Sequence, residues 1–334
     1  MQAVRFSFKI RCTAGIGDIR KEDCVKKCVI TCYFGKLPDY FELFMMSCER
    51  NGNIDWYIIT DNQINTAADN ITVIIYTFPE FAARVQSRFN FQIELSTPYK
   101  WCDYKIAAGY IFPDIIAGYD YWGFCDMDLI WGNLNRFYPD KLIEKYDRFL
   151  INGHIQFYRN KREINELFML PAGGNAVYKA VFRSKYNYGF DEEGRISITQ
   201  ICRQHPDIKV YASKNAIADI CPYGNKFQLA APLSGDIRYI KICSGSVFGA
   251  GTDGGQETEY AYVHFQKRKF VLSEDFDPEK TVYARFNDMT NNLSDIRDIL
   301  PREIRKPPSQ VFLMKNRLCR AIDLIKYLNW KSDD

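Results

Sequence analysis

Tyr121-Trp122-Gly123-Phe124-Cys125-Asp126-Met127-Asp128-Leu129-Ile130-Trp131-Gly132 is the stretch on which the reading of this chain turns. Large apolar side chains flank two carboxylates on both sides, and burying two anions there is costly unless a cation offsets them. In a strand, residues i and i+2 point to the same side, so Asp126 and Asp128 on a strand would converge on one point. Magnesium and manganese take oxygen ligands and keep positions open for water or phosphate, which suits a two-carboxylate site. The plainer alternative is that one aspartate caps the next turn while the other pairs with a lysine or arginine. Asp-x-Asp is weak as a bare motif, because a second copy, Asp275/Asp277, lies in the polar run LSEDFDPEKT. That copy reads as a solvated turn; its surroundings set the first one apart.

Outward from this stretch, strands and helices alternate. After Lys26, CVITCYF (28–34) is an apolar, β-branched strand, and YFELFMMSCER (40–50) has helical spacing with Asp39 as its N-cap. IDWYIIT (54–60) and ITVIIYTF (71–78) read as strands, PEFAARVQSRF (79–89) as a helix opening on proline, and DYKIAAGYIFPDII (103–116) as a helix broken near Pro113. This order predicts an α/β fold, a Rossmann-like, mostly parallel central sheet flanked by helices. Ligands of such sheets bind outside the carboxyl ends of the strands, which singles out Thr31 to Phe34, Asp61 and Asp126 to Asp128. Beyond about residue 150 the pattern loosens: INGHIQFYRN (151–160), PAGGN (171–175), NYGFDEEGR (187–195) and CSGSVFGAGTDGG (243–255) read as loops and short elements. AYVHFQKRKFVL (261–272) returns to strand character. Residues 1–25 form a poorly patterned lead-in, 26–299 the main domain, and 300–334 a basic tail. In that tail QVFLMKNRLCRAIDLIKYL (310–328) is expected to be an amphipathic helix, docked on the domain or lying on a membrane surface.

Composition narrows the class. Of 334 residues 47% are hydrophobic, enough for a sizeable core and incompatible with global disorder. A net charge of only +3 argues against a nucleic-acid partner. No run approaches the roughly 18 apolar residues of a membrane span, and MQAVRFSFKIRC lacks the continuous apolar core of a signal peptide. Among 11 cysteines, Cys24, Cys28 and Cys32 recur every four residues, a spacing foreign to zinc and iron–sulfur sites. Buried reduced thiols are expected instead, and with them a cytoplasmic location, extended by the tail to the inner face of a membrane.

YDYWGFCDMDLIWGNL (119–134) resembles the metal-binding segment of GT-A glycosyltransferases. The wider pattern is similar to an uncharacterised bacterial family of that clan associated with capsular or O-antigen polysaccharide synthesis. The matching pieces are KWCDYKIAAGYIF (100–112), GHIQFYRN (153–160), GFDEEG (189–194) and YAYVHFQKRKF (260–270), so the resemblance spans roughly Lys26 to Phe270. It implies a GT-A-like fold with a nucleotide-sugar half (26–150) and an acceptor and catalytic half (151–299). It implies a metal-dependent, hexosyltransferase-like enzyme in which Mn2+ or Mg2+ bridges the phosphates of a nucleotide-diphosphate sugar, by family habit a UDP-sugar. The acceptor would be a hydroxyl of a glycan or a lipid-linked molecule.

The same resemblance assigns residues. Asp126, Asp128 and His264 would hold the metal, and Lys267 and Arg268 would contact phosphate oxygens. Asp103 and Lys105 would touch the donor sugar or diphosphate, while Thr31, Tyr33, Phe34 and Asp61 would meet base and ribose. His154 would orient the acceptor. Asp191 or Glu192, in an acidic loop with Glu193, would be the base of an inverting reaction. Bland alternatives stand beside each: core histidines, a helix cap at Asp103, polar strand ends and a solvated acidic loop. A nucleotidyltransferase would carry a glycine-rich, basic loop where this chain has YFGKLPDYF. A glycoside hydrolase needs opposed carboxylates about 5–10 Å apart, which near neighbours in sequence do not readily supply. A non-catalytic nucleotide- or sugar-binding module would be expected to lack one of Asp126, Asp128 and His264, and all three are present.

Overall fold

The apolar run after Lys26 forms β1 (Lys27–Tyr33), buried along most of its length. Parallel neighbours β2 (Asp55–Thr60) and β4 (Tyr121–Cys125) flank it, and β3 (Ile71–Ile75) extends the sheet beside β2. Antiparallel to β4 runs β7 (Ile155–Arg159), followed by β6 (Arg148–Phe149) and β8 (Val210–Tyr211), giving the order β3-β2-β1-β4-β7-β6-β8. The computed structural model describes residues 24–220, 227–230, 237–251, 257–266, 268–285, 287–295 and 308–328. The expected α/β architecture, a mostly parallel sheet flanked by helices, is what the chain adopts.

Side-chain alternation along the strands produces two cores. Val29, Trp56, Ile58 and Tyr121 pack on one face with Phe44 of the helix Phe41–Arg50, while Ile30, Ile59, Trp122 and Phe124 pack on the other with Phe81 of the helix Phe78–Gln86. A strand buried on both faces has no polar side to show, which is why these strands read as continuous apolar runs.

Two smaller sheets complete the fold. β5 (Leu129–Trp131) leaves the main sheet and pairs antiparallel with β14 (Tyr262–His264). β9 (Ile217–Ile220) lies parallel to β14, and β10 (Phe227–Ala230) closes that four-stranded sheet. The other sheet has the order β13 (Thr258–Tyr260), β12 (Ser246–Gly251), β11 (Ile237–Cys243), β16 (Val282–Arg285), β17 (Asp288–Thr290) and β15 (Val271–Leu272). Residues on both sides of position 150 share the main sheet, since β6 and β7 pair across it.

Several local expectations need correction. Asp39 does not cap the helix after β1; Tyr40 occupies that position without a side-chain cap bond, and Asp39 pairs with Lys36 at 3.1 Å. β3 stops at Ile75 because Thr77 and Glu80 form a capping box for the next helix. The segment around 98–111 is two 3-10 turns, Pro98–Asp103 and Lys105–Ala107, and a short helix, Ala108–Ile111. GHIQFYRN contains β7, and the glycine-rich run at 243 is a hairpin, with Ser244 and Gly245 both at positive φ in a two-residue turn between β11 and β12.

Among the described residues no cysteine joins a metal-ligand group, and Cys24, Cys28 and Cys32 range from exposed to buried. Asp277 pairs with Lys280 at 3.3 Å in an exposed turn, as expected for the second Asp-x-Asp. No helix of the described residues is long and apolar enough to cross a membrane. The tail does form a helix, Gln310–Leu328, which packs on the helix Val177–Arg183. Residues 1–23 of the lead-in, and 300–307 and 329–334 of the tail, lie outside the described residues.

Gly123 shows how tightly β4 is held. A Cβ there would lie 2.6 Å from the Gln156 carbonyl oxygen and 2.9 Å from the Phe157 ring. Gly123→Ala is therefore expected to destabilise the chain by about 1–3 kcal/mol, as overpacking does. Urea denaturation measures it; an unchanged midpoint would mean that β4 and β7 separate at no cost.

Candidate active site

β4 ends at Cys125, and Asp126-Met127-Asp128 forms a bend before β5. The two carboxylates therefore do not converge through the strand pleat, as the sequence pattern suggested. Buried Met127 anchors the bend; the Asp126 carboxylate is partly open to solvent, and that of Asp128 is largely buried against His264. Backbone bonds hold the bend at both ends: Asp126 N donates to the His154 carbonyl and Phe265 N to the Asp128 carbonyl, both at 2.9 Å.

His264, opposite Leu129 in the β5–β14 pair, places Nε2 3.3 Å from Asp128 Oδ1. Its Nδ1 lies 2.8 Å from Asp219 Oδ1, and Gln266 Nε2 donates to both Asp219 oxygens at 3.1 and 3.2 Å. One ligand atom from each of Asp126, Asp128 and His264 lies within 4.8 Å of the others. Two carboxylate oxygens and one imidazole nitrogen, with a carboxylate behind the imidazole, match the donors of an open Mn2+ or Mg2+ site and its outer shell.

Protein cations supply the balancing charge. Lys105, almost wholly buried, sets Nζ 2.8 Å from Asp126 Oδ1, 2.7 Å from Asp191 Oδ2 and 2.8 Å from the Gly153 carbonyl oxygen. Burial disfavours its charge, but Asp126 and Asp191 outweigh that and hold the ammonium well above its ordinary pKa. Burial likewise works against a charged His264, yet Asp128 and Asp219 push its pKa up to about 10. His154 packs on that ring at a tilt, centroids 3.8 Å apart, and burial, reinforced by His264, drives its own pKa well below the usual value. A neutral imidazole thus lies on a cationic one.

Beside the bend opens a pocket of about 610 Å3. Tyr33, Phe34, Tyr99 and Trp101 line it together with Lys36, Arg268, Lys269, Asp126 and Asp128. The aromatic wall is braced from behind, with Phe34 4.8 Å and Trp101 4.9 Å from the ring of Phe81. Such a lining suits a ligand that combines a planar ring with a polyanion.

The structure sorts the predicted residues. Tyr33, Phe34, Lys105, Asp126, Asp128 and Arg268 line the pocket. Thr31 does not: its hydroxyl donates to the Cys125 carbonyl at 3.0 Å and ties β1 to β4. Asp61 accepts from Gly35 N at 2.9 Å and shapes the turn after β1. Asp103 is fully buried, paired with Lys100 at 2.7 Å, and accepts from the backbone N–H groups of Tyr188 and Phe190. It is neither a helix cap nor a pocket group; it pins the segment leading to Asp191. His154, Asp191 and Glu192 gather around Lys105 and His264, outside the pocket lining. Lys267 lies outside the described residues. Asp219, Gln266, Lys36, Tyr99, Trp101 and Lys269 escaped the sequence reading. For Asp219 no local signal exists, because it meets His264 only through the register of β9 and β14.

Burial raises the Asp191 carboxyl to about 7 while Lys105 opposes the shift. A folded-state pKa above the unfolded value, about 4, means that the native chain keeps this proton longer. Its contribution to stability therefore falls as pH rises from about 4 to about 7. Asp191→Asn should flatten the pH dependence of the urea midpoint in that window, by at most about 1.4 kcal/mol per pH unit. Parallel wild-type and variant curves would contradict the shift.

No curated protein sequence matches the chain. Solved structures similar to it include mouse xyloside xylosyltransferase 1 in its apo form, at 8% identity and a TM-score of 0.38, covering 59% of this chain and 88% of that one. Another is a glycosyltransferase involved in the glycosylation of the major capsid of PBCV-1, at 12% identity and a TM-score of 0.29, covering 58% of this chain and 86% of that one. The model of a family of unknown function, DUF6625, matches residues 29–293, and the chain belongs to that family.

Proposed function

We propose that the chain is a divalent-cation-dependent glycosyltransferase that moves a sugar from a nucleotide-diphosphate donor to an acceptor hydroxyl. One observation carries this reading: the oxygen and nitrogen donors of Asp126, Asp128 and His264 cluster within 4.8 Å beside a pocket with an aromatic wall and several cations. These residues would hold Mn2+ or Mg2+, with His264 giving up its Nε2 proton on metal binding, and the ion when bound supplies Lewis-acid stabilisation of a departing diphosphate. Tyr33, Phe34 and Tyr99 would offer rings to a base, by default uracil, and Lys36, Arg268 and Lys269 would offer charge to phosphate oxygens. Asp219 fixes the orientation of the His264 ring. Lys105 can give up Asp126 and still keep Asp191 and the Gly153 carbonyl, so the buried ammonium stays paired.

Asp191 is enclosed by that pairing and serves as a positioning residue for Lys105. Glu192 beside it is exposed, and burial of its inner side, against the opposing pull of Lys105, raises its carboxyl. A carboxylate with a raised pKa that reaches solvent is suited to accept the acceptor's proton. His154, neutral and adjacent, is placed to orient that hydroxyl. A glycan or lipid-linked acceptor, used in surface-polysaccharide assembly in the cytoplasm, completes the reading.

Thermal unfolding with Mn2+ and a panel of nucleoside diphosphates tests the donor site. UDP is expected to raise the Tm only when Mn2+ is present, and Asp128→Asn should abolish that response with the fold intact. No Mn2+-dependent shift with any nucleotide of the panel would sink the proposal. Glu192→Gln is expected to lower sugar transfer by about 10²–10⁴-fold, the usual worth of a general base, while the UDP response persists. Undiminished transfer would remove Glu192 from the mechanism.

A further inference from the structure

The helix Gln310–Leu328 has two different faces. Leu313, Asn316, Cys319, Asp323, Leu324 and Tyr327 are partly covered by the domain. Leu324 packs against the core around Phe182 and Tyr178, and the Tyr188 hydroxyl donates to the Arg320 carbonyl at 2.9 Å. Val311, Met314, Leu318, Ile322 and Ile325 recur at intervals of three and four residues, which sets them in one stripe along the axis. Each is more than half exposed. A stripe of large apolar side chains left in water is unfavourable unless something covers it.

Charge indicates what covers it. Lys315, Arg317 and Lys326 are exposed outside the docked face, whereas Arg320, whose carbonyl accepts from Tyr188, lies on the docked side with the one acid, Asp323. Asp323 turns toward the domain, with Oδ2 buried and its charge felt by Lys100. The outward surface is therefore apolar and purely cationic. A second copy laid on it would bring like charges together, whereas an anionic lipid surface complements both features. From Val311 to Ile325 the stripe is about 21 Å long at 1.5 Å per residue, suited to lying along a bilayer.

We infer that this helix is a membrane-surface anchor, binding anionic bilayers through its Val311–Ile325 stripe and flanking cations while its other face stays docked. The docked face bears on Tyr188, in the segment that Asp103 pins just before Asp191 and Glu192. The anchor thereby sets the acceptor side of the proposed site close to the lipid surface.

Cosedimentation of the full chain with phosphatidylcholine vesicles, with and without phosphatidylglycerol, tests this and requires neither metal nor nucleotide. The outcome is thus separable from the fate of the transferase reading. The chain is expected to bind phosphatidylglycerol vesicles, less at high salt, and Leu318→Glu/Ile322→Glu should cut the bound fraction about tenfold. Lys315→Glu/Lys326→Glu, which alters only exposed side chains, should weaken binding as well and serves if the first variant fails to fold. Absence of binding, or binding unaffected by the charge-reversal variant, would overturn the anchor. So would a lipid-free dimer that Leu318→Glu/Ile322→Glu dissociates, which would assign the stripe to a second copy of the chain.

Discussion

The antiparallel pairing of β5 with β14 is the contact on which the site depends. Leu129, the first residue after the Asp-Met-Asp bend, lies opposite His264, and the bond from Phe265 N to the Asp128 carbonyl extends the ladder into the bend. Without that pairing the two aspartates would end a strand with no imidazole near them, and Asp219 would have none to orient. Trp131 and Tyr262 meet edge to face at 5.4 Å, and both are buried, so hydrophobic packing keeps the two polar elements in register. The ladder is short, but it is embedded in a core and cannot slip without exposing large side chains.

Charge is the second constraint. Asp126, Asp128, Asp191 and Asp219 crowd a small volume, offset by Lys105 and a protonated His264. Buried ion pairs of this kind contribute little net stability, because desolvation consumes much of the Coulomb attraction. Their value lies in preorganisation: each carboxylate already faces a positive group, so under the proposed function a divalent ion would exchange partners and would not have to create a binding geometry. Lys105 is suited to that exchange because it has a second carboxylate and a carbonyl in reach.

Much of the frame was legible in the chain. The runs 28–34, 54–60 and 121–125 are apolar on both faces, and that pattern alone requires a sheet covered on two sides. The elements that failed to show were those whose sequences carry a weak period. β7 contains Gln156 between Ile155 and Phe157, and the β11–β12 hairpin is rich in glycine; both are strands because neighbours pair with them. The expected helix 103–116 gives way at its start to 3-10 turns, where Asp103 and Lys105 bond to partners elsewhere in the fold.

At the site itself, sequence by itself determined the chemistry of the donors: two carboxylates one residue apart at a strand end, with a histidine far downstream. It also marked Tyr33 and Phe34, because strand ends in a parallel sheet open onto ligands. Only the tertiary structure decided that Thr31, Asp61 and Asp103 hold backbone in place, that Lys105 is the buried counter-ion, and that Asp219 stands behind His264. The reason is physical. A residue's type fixes what it can donate or accept, but whether that capacity is spent internally depends on which backbone groups the register brings within about 3 Å. For Thr31 and Asp103 those groups lie 94 and 87 residues away along the chain.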